Sequence, residues 1–135
     1  MVFKMQLSKF SDYSFRALIY LAKNNERLCT VDELANKLNT SEYHMKKVIY
    51  HLAKTNYIIS IKGRTGGLKI GLKPEEINLG DILKISENNL NILECFNNSN
   101  NCPLISSECQ LKQITTKALE QFIKEFSNYT LADLL

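Results

Sequence analysis

The chain has 135 residues, the length of one domain with room for an added helix. Hydrophobic residues make up 44% of it, enough for a core, yet no run approaches the roughly 20 apolar residues of a membrane span. The net charge of +3 is too small to indicate a partner by itself. Because residues 1–10 lack the apolar stretch of a signal peptide, we expect a cytoplasmic protein with no membrane partner.

Two short helices joined by a polar turn are predicted to follow a first helix over residues 11–23. Thr30 and Glu33 form a capping box at the start of the second helix. Apolar residues at i, i+3, i+4 and i+7 from Val31 give that helix one buried stripe. Because Ser41 can cap a third helix with the same periodicity, the pattern predicts a helix-turn-helix.

The third predicted helix has an outward face rich in hydrogen-bond donors. Its residues are Tyr43, His44, Lys46, Lys47, Tyr50, His51 and Lys54. In DNA-binding helices of this kind, the N-terminal residues reach furthest into the groove. The candidates for contacts near base edges are therefore Ser41, Tyr43 and His44.

A β-hairpin is predicted after this helix, because β-branched runs at 57–61 and 68–72 flank the glycine-rich turn 62–67. The turn carries two basic residues, which makes the hairpin a basic wing. Residues 41–73 contain seven basic residues and one acidic residue. Such a face is typical of phosphate contacts, although charge alone is equally compatible with a solvated lysine-rich surface. The candidates for phosphate contacts are Lys46, Lys47, Lys62 and Arg64.

The last part of the chain is predicted to hold two further helices around an irregular loop. After Pro74, a helix is expected over residues 79–87. Seven of the fourteen residues 88–101 are asparagine, a composition that favours turns over helix or strand. A final helix over residues 110–127 has a broad apolar stripe that either pairs with a second copy in a dimer or covers the head within one chain. The residues of that stripe are Leu111, Ile114, Ala118, Phe122 and Phe126.

Three cysteines, Cys95, Cys102 and Cys109, lie in or beside the asparagine-rich loop, with six residues between neighbours. In a reducing compartment such crowding indicates a metal or redox centre, although the Cys-x-x-Cys pairs of zinc ribbons are missing. The fourth cysteine, Cys29, precedes the second helix among apolar residues. We interpret it as structural.

Several segments resemble the family of bacterial winged-helix regulators that includes NsrR, IscR and CymR. The resemblance rests on SKFSDYSFRAL at 8–18, KGRTGG at 62–67, NILECF at 91–96, CQLK at 109–112 and NYTLADL at 128–134. It covers essentially the whole chain and is closest to the NsrR branch, whose members are repressors that sense nitric oxide.

The resemblance implies an iron–sulfur cluster shared between two subunits of a homodimer. Cys95, Cys102 and Cys109 of one subunit would bind it, together with the partner subunit's Asp12. The alternative role for Asp12 is to cap or stabilise the first helix, since an acid at a helix N-terminus interacts favourably with its dipole. The resemblance favours a 4Fe-4S over a 2Fe-2S cluster. It further implies repression of nitrosative-stress genes from a palindromic operator in double-stranded DNA, with nitric oxide as the signal.

The predicted fold class is mainly α with a small β-hairpin wing, that is, a winged helix-turn-helix plus a long C-terminal dimerisation helix. We divide it into a DNA-binding head over 1–78, a helix and cysteine-bearing cluster loop over 79–109, and the dimerisation helix with the C-terminal segment over 110–135.

Two other functions stay open with the same fold. One is a regulator of iron–sulfur assembly that senses cluster supply. The other is a regulator of cysteine metabolism that acts through bare thiols or a protein partner. An enzyme is not expected, because His44 and His51 both fall on the predicted DNA face and no Ser/His/Asp or Cys/His set can be assembled.

Overall fold

The computed structural model describes residues 5–93, 102 and 109–135, which form five α-helices and one two-stranded hairpin. The helices are α1 (Lys9–Lys23), α2 (Val31–Lys37), α3 (Glu42–Leu52), α4 (Leu79–Ser86) and α5 (Gln110–Ser127), and the strands are β1 (Ile58–Ile61) and β2 (Gly67–Ile70). Short 3-10 turns cover Pro74–Glu76 and Leu131–Leu134. None of the helices in these ranges is both long and apolar enough to cross a membrane.

Hydroxyl side chains set the starts of the first three helices. The side-chain oxygens of Ser8, Thr30 and Ser41 each accept a hydrogen bond from the backbone N–H three residues further on. These bonds satisfy donors that the first turn of a helix leaves unpaired. Because Ser8 caps α1, that helix begins at Lys9 and not at the predicted residue 11.

The inward faces of the first three helices form one apolar core, as the periodicity predicted. The fully buried large side chains of these helices are Leu18, Leu21, Leu34, Met45, Val48 and Leu52. Ile82 of α4 and Leu131 of the C-terminal 3-10 turn join the same core. The C-terminal segment is therefore packed into the head.

The turn between α2 and α3 is short and relies on an asparagine. Asn39 adopts a φ of 53°, a left-handed conformation that asparagine tolerates better than most residues. The next residue, Thr40, donates its N–H to the carbonyl of Ala35 at 2.9 Å. These contacts fix α3 across α2 as the second helix of a helix-turn-helix.

The hairpin is anchored to the head by an extra backbone bridge. Ile58 pairs with Ile70 and Ile61 with Gly67 in the antiparallel ladder. Outside the ladder, Leu68 exchanges two hydrogen bonds with Cys29, at 2.9 and 2.7 Å. A side chain at Gly67 would lie 2.9 Å from the Cys29 carbonyl, so glycine permits this close approach.

The N-terminal end of α4 is fixed to the C-terminal end of α5. Asn78 caps α4 through its Oδ1, and its Nδ2 donates to the Ser127 carbonyl at 2.8 Å. A Cβ on Gly80 would lie 1.9 Å from Ser127 Oγ, so the two helices meet where there is no side chain. The buried Leu131 donates its N–H to the carbonyl of Ile77 at 2.8 Å.

A charged cluster of Tyr20, Arg27 and Glu33 ties α1 to the start of α2. Tyr20 Oη donates to the Glu33 carboxylate at 2.6 Å, and the Arg27 guanidinium donates to both of its oxygens, one of them at 3.0 Å. The bonds from Arg27, followed by that from Tyr20, lower the pKa of Glu33 to about 2. The hydrogen bond to Glu33 conversely raises the pKa of Tyr20.

Candidate nucleic-acid interface and cysteine sites

The N-terminal turn of α3 is held by its own side chains. Ser41 Oγ accepts from the His44 N–H at 3.1 Å and lies 2.6 Å from His44 Nδ1. The His44 ring lies between Tyr43 and Tyr13 of α1, with centroid distances of 5.6 and 6.4 Å. Ser41 and His44 are exposed but already hydrogen-bonded to each other, whereas the Tyr43 ring projects outward with 64% of its surface accessible.

Tyrosine and lysine alternate along the exposed face of α3. Lys47 Nζ lies 4.4 Å from the centre of the Tyr43 ring, and Lys54 Nζ lies 4.2 Å from that of Tyr50. At about 100° per residue, Tyr43, Lys47 and Tyr50 fall within about 60° of the circumference of α3, and Lys54 follows in the turn after the helix. Because cation–π contacts hold the ammonium groups in place, both lysines are ordered on one face. We define these four residues as the Tyr–Lys stripe.

Lys46, beside the stripe, is in a different electrostatic state from Lys47. Its Nζ lies 2.8 Å from a carboxylate oxygen of Glu42, one helical turn earlier. This bond raises the pKa of Lys46 and lowers that of Glu42. A phosphate approaching Lys46 therefore also meets the neighbouring carboxylate.

His51 does not lie on the outward face, contrary to the prediction from its position in the helix. Its ring is half-buried, and Nε2 lies 3.0 Å from the carbonyl oxygen of Ile85 in α4. Because a carbonyl only accepts, Nε2 carries the proton and donates it. The Phe10 ring packs edge-on against the imidazole at 5.2 Å. This histidine belongs to a junction between helices.

The tip of the hairpin presents its two predicted basic residues, Lys62 and Arg64, to solvent. Between them, Gly63 has a φ of 107°, in the left-handed region where a side chain is strained. Just after this turn, Leu68 of β2 is bound to Cys29, whose side chain is fully buried. Burial raises the pKa of the Cys29 thiol, which agrees with the structural role predicted for it.

Asp12 lies in the first turn of α1 but does not cap that helix, since Ser8 does. Its carboxylate accepts from Arg16 Nε at 2.8 Å and is 46% exposed. Asp12 and Arg16 line a surface pocket that extends to Asn39 in the helix-turn-helix turn. The side chain is thus accessible from outside, at a place that borders the reading head.

The three predicted cysteine ligands are only partly covered by the structure. Cys95 lies outside the described residues. Cys102 and Cys109 are half-buried free thiols, and Cys109 occupies the N-cap position of α5 without making a side-chain capping bond.

No group of three or more His, Cys, Asp and Glu side chains within residues 5–93, 102 and 109–135 is arranged to hold a metal ion. The donor types nevertheless fit an iron–sulfur cluster. Cysteine sulfurs such as those of Cys102 and Cys109 are its usual ligands, and Asp12 adds an accessible oxygen donor.

One face of α5 remains exposed, most of all in the first half of the helix. Leu111 is 61% and Ile114 is 62% accessible, and Phe122 is 41% accessible. Further along, Phe126 packs against Phe122 at 5.2 Å and against Phe15 of α1 at 5.9 Å. The predicted apolar stripe therefore divides into a C-terminal part that covers the head and an N-terminal part that does not.

Comparison with known sequences gives a family match over nearly the whole chain. The Rrf2 family model, described as an iron-dependent transcriptional regulator, matches residues 7–135. The transcriptional regulator NsrR of Bacillus licheniformis is 39% identical over 132 residues, which cover 97% of this chain and 92% of that protein. NsrR of Halalkalibacterium halodurans is 42% identical, with 97% and 90% coverage.

Solved structures show the same fold. CymR of B. subtilis, described as the global cysteine regulator, has a TM-score of 0.74 at 25% identity, and the match covers 96% of this chain and 95% of that one. IscR of T. potens has a TM-score of 0.76 at 21% identity, with 97% and 86% coverage. The arrangement of α1–α3 and the wing is accordingly a winged helix-turn-helix, as predicted.

Proposed function

Because the chain belongs to the Rrf2 family of iron-dependent transcriptional regulators, we propose that it is a homodimeric DNA-binding repressor that senses nitric oxide through an iron–sulfur cluster and controls nitrosative-stress genes. The observation that carries the sensing part is the placement of Asp12. Its carboxylate is accessible, and the pocket that it lines extends to the turn before α3. A bond between Asp12 and a cluster would therefore form or break next to the helix-turn-helix.

The cluster ligands in this proposal are Cys95, Cys102 and Cys109 of one subunit and the partner subunit's Asp12, with 4Fe-4S favoured over 2Fe-2S. When bound, such a cluster supplies iron that exchanges an oxygen ligand more readily than a thiolate ligand, so nitric oxide would act first at the oxygen-bound corner.

Asp12 changes partners in this scheme. In the structure its carboxylate accepts from Arg16 at 2.8 Å. To serve the partner subunit, it turns away from Arg16 while α1 stays capped by Ser8. When Asp12 returns to Arg16, the link between the subunits is lost, and the spacing of the two α3 helices is no longer fixed.

DNA recognition depends on that spacing. A symmetric dimer reads palindromic half-sites about 34 Å apart or at a multiple of this distance, so a small displacement weakens both contacts together. Lys46, Lys47, Lys62 and Arg64 supply phosphate affinity in this scheme. Tyr43 is the most accessible of the base-edge candidates, since Ser41 and His44 are hydrogen-bonded to each other.

The test is anaerobic purification followed by DNA titration on the protein's own promoter, with the cluster-bound and cluster-free proteins compared. We expect a brown protein with absorbance at about 400 nm from iron–thiolate charge transfer, and tighter DNA binding than by the cluster-free form. Nitric oxide should abolish this difference. In a cluster-bound Asp12→Ala variant, unchanged nitric-oxide reaction rate and DNA affinity would rule out Asp12 as a ligand.

Two outcomes would favour the other regulators. A colourless protein that still binds DNA points to bare thiols or a protein partner, an alternative supported by the structural similarity to CymR. A brown protein that ignores nitric oxide but responds to cluster loss points to sensing of cluster supply.

A further inference from the structure

The last turn of α4 bonds to both α1 and α3. The Ile85 carbonyl accepts from His51 of α3 at 3.0 Å. The Ser86 hydroxyl donates to Ser11 Oγ of α1 at 2.9 Å, and both serines are fully buried. Buried hydroxyls paired in this way are costly to separate, because each would lose its partner away from water.

The next residue, Glu87, places its carboxylate on the N-terminal end of α1. It accepts from the Ser8 N–H at 3.2 Å, from the Ser8 hydroxyl at 3.2 Å, and from the Ser11 hydroxyl. A carboxylate at a helix N-terminus forms charge-assisted bonds and interacts favourably with the helix dipole. The end of α4 and the start of α1 are therefore held as one unit, directly beside Asp12.

This turn is also where the cysteine-bearing segment leaves the head. Glu87 is followed by residues 88–93 and then by the three cysteines. Leu90 and Ile92 line a groove together with Met5, Leu7 and Phe122 of α5. A displacement of that segment therefore acts on this groove and, through residues 88–93, on Glu87.

We propose that His51 and Glu87 are positioning residues, which transmit the state of the cysteine segment to α3 through the last turn of α4. The inference rests on the proposed function, because that state is cluster-bound or cluster-free. Glu87 sets the end of α4 against α1, and the Ile85 carbonyl then sets the rotation of α3 through His51. The coupling runs within one subunit and does not use Asp12.

The experiment measures DNA affinity of the brown and cluster-free full-length protein and takes the ratio of the two. His51→Phe keeps a ring beside Phe10 but has no donor for the Ile85 carbonyl. His51→Gln keeps a donor of similar reach without the ring. We expect the ratio to fall about fivefold toward one in His51→Phe, the order that one hydrogen bond gives, and to stay within about twofold of wild type in His51→Gln.

Glu87→Gln provides a second, independent variant, and the exposed Lys84→Ala in the same helix is the matched control. Glu87→Gln should also lower the ratio, and Lys84→Ala should leave it unchanged. If His51→Phe fails to fold in thermal unfolding, Glu87→Gln still decides the question.

The proposal is overturned if the ratio of brown to cluster-free affinity stays at the wild-type value. A merely structural role gives this result, because both affinities then fall by the same factor. A colourless wild-type protein overturns the proposed function and this inference together. A brown wild type with unchanged variant ratios overturns this inference alone.

Discussion

Individual polar residues in this molecule act mainly by joining helices. The Glu33 carboxylate accepts from Tyr20 of α1 and from Arg27 in the loop between the helices. The backbone N–H of Glu33 donates to the Thr30 hydroxyl, and this bond caps the start of α2. One carboxylate thus fixes three segments of the head.

The first prediction concerns acid stability. The folded-state pKa of Glu33 is about 2, below its ordinary value of 4.5, so its contribution is complete above about pH 5 and lost as the pH falls through about 2. Glu33→Gln should lower the free energy of unfolding by about 1 kcal/mol at pH 7. Measured by denaturant titration, the difference from wild type should shrink between pH 4.5 and 2. The same difference at pH 7 and pH 2 would contradict the assignment, and the exposed Glu26→Gln serves as control.

At the scale of elements, short-range patterns predicted most of what local chemistry decides. Caps at Thr30 and Ser41 and the apolar spacing of α2 and α3 are local features, and the structure confirms them. His51 was misplaced because its partner, Ile85, lies 34 positions later in the chain. No periodicity within α3 contains that information. The buried pair of Ser11 and Ser86 was missed for the same reason.

For the candidate site, the sequence predicts the positions of some side chains but not their contacts. Solvent exposure of Lys62 and Arg64 follows from the hairpin turn, and the cysteines stand out by spacing alone. Lys46 differs from Lys47 through its ion pair with Glu42, and Asp12 is paired with Arg16 and does not cap the helix. Both ion pairs depend on side-chain rotamers that the sequence does not specify.

The second prediction tests the Tyr–Lys stripe, which extends the candidate DNA surface to Tyr50 and Lys54. If the stripe follows the DNA backbone, Lys54→Ala should reduce the slope of log affinity against log salt concentration by about one. Tyr50→Ala removes the ring that orders Lys54, so the double variant should lose less affinity than the two single losses combined. Lys84→Ala on α4 is the control. An unchanged salt slope in Lys54→Ala would place the end of α3 away from DNA.

At the scale of the whole molecule, α5 has two roles along its length. Its C-terminal part packs on α1 and α4, through Phe126 and through Ser127 at Gly80. Its N-terminal part exposes Leu111 and Ile114 directly after Cys109. Pairing of this part with a second copy would bring the cysteine-bearing segment to the subunit boundary, where the proposed shared cluster requires it.

The third prediction follows from that arrangement. Ile114→Glu places a charge on the exposed apolar face and should convert the proposed dimer to monomer, with a loss of operator affinity of at least about tenfold because one half-site contact is released. Sedimentation velocity and DNA titration measure the two effects. Gln113→Glu adds the same charge to the opposite face and should change neither. A dimeric Ile114→Glu would place the subunit contact elsewhere.

The bridge between Cys29 and Leu68 has a consequence for how an operator is chosen. Because two backbone hydrogen bonds tie the wing to the head, we expect the distance from α3 to Lys62 and Arg64 to change little when DNA binds. If this distance is fixed in the protein, the DNA must deform to meet both α3 and the wing, by a change of groove width or by a kink. We therefore expect operators with the same contacted bases to differ in affinity. The affinity should be higher when the base-pair steps between the α3 contacts and the wing contacts are more flexible. DNA cyclisation rates, which report flexibility, and binding affinities measured on the same set of DNA fragments should then rank the fragments in the same order.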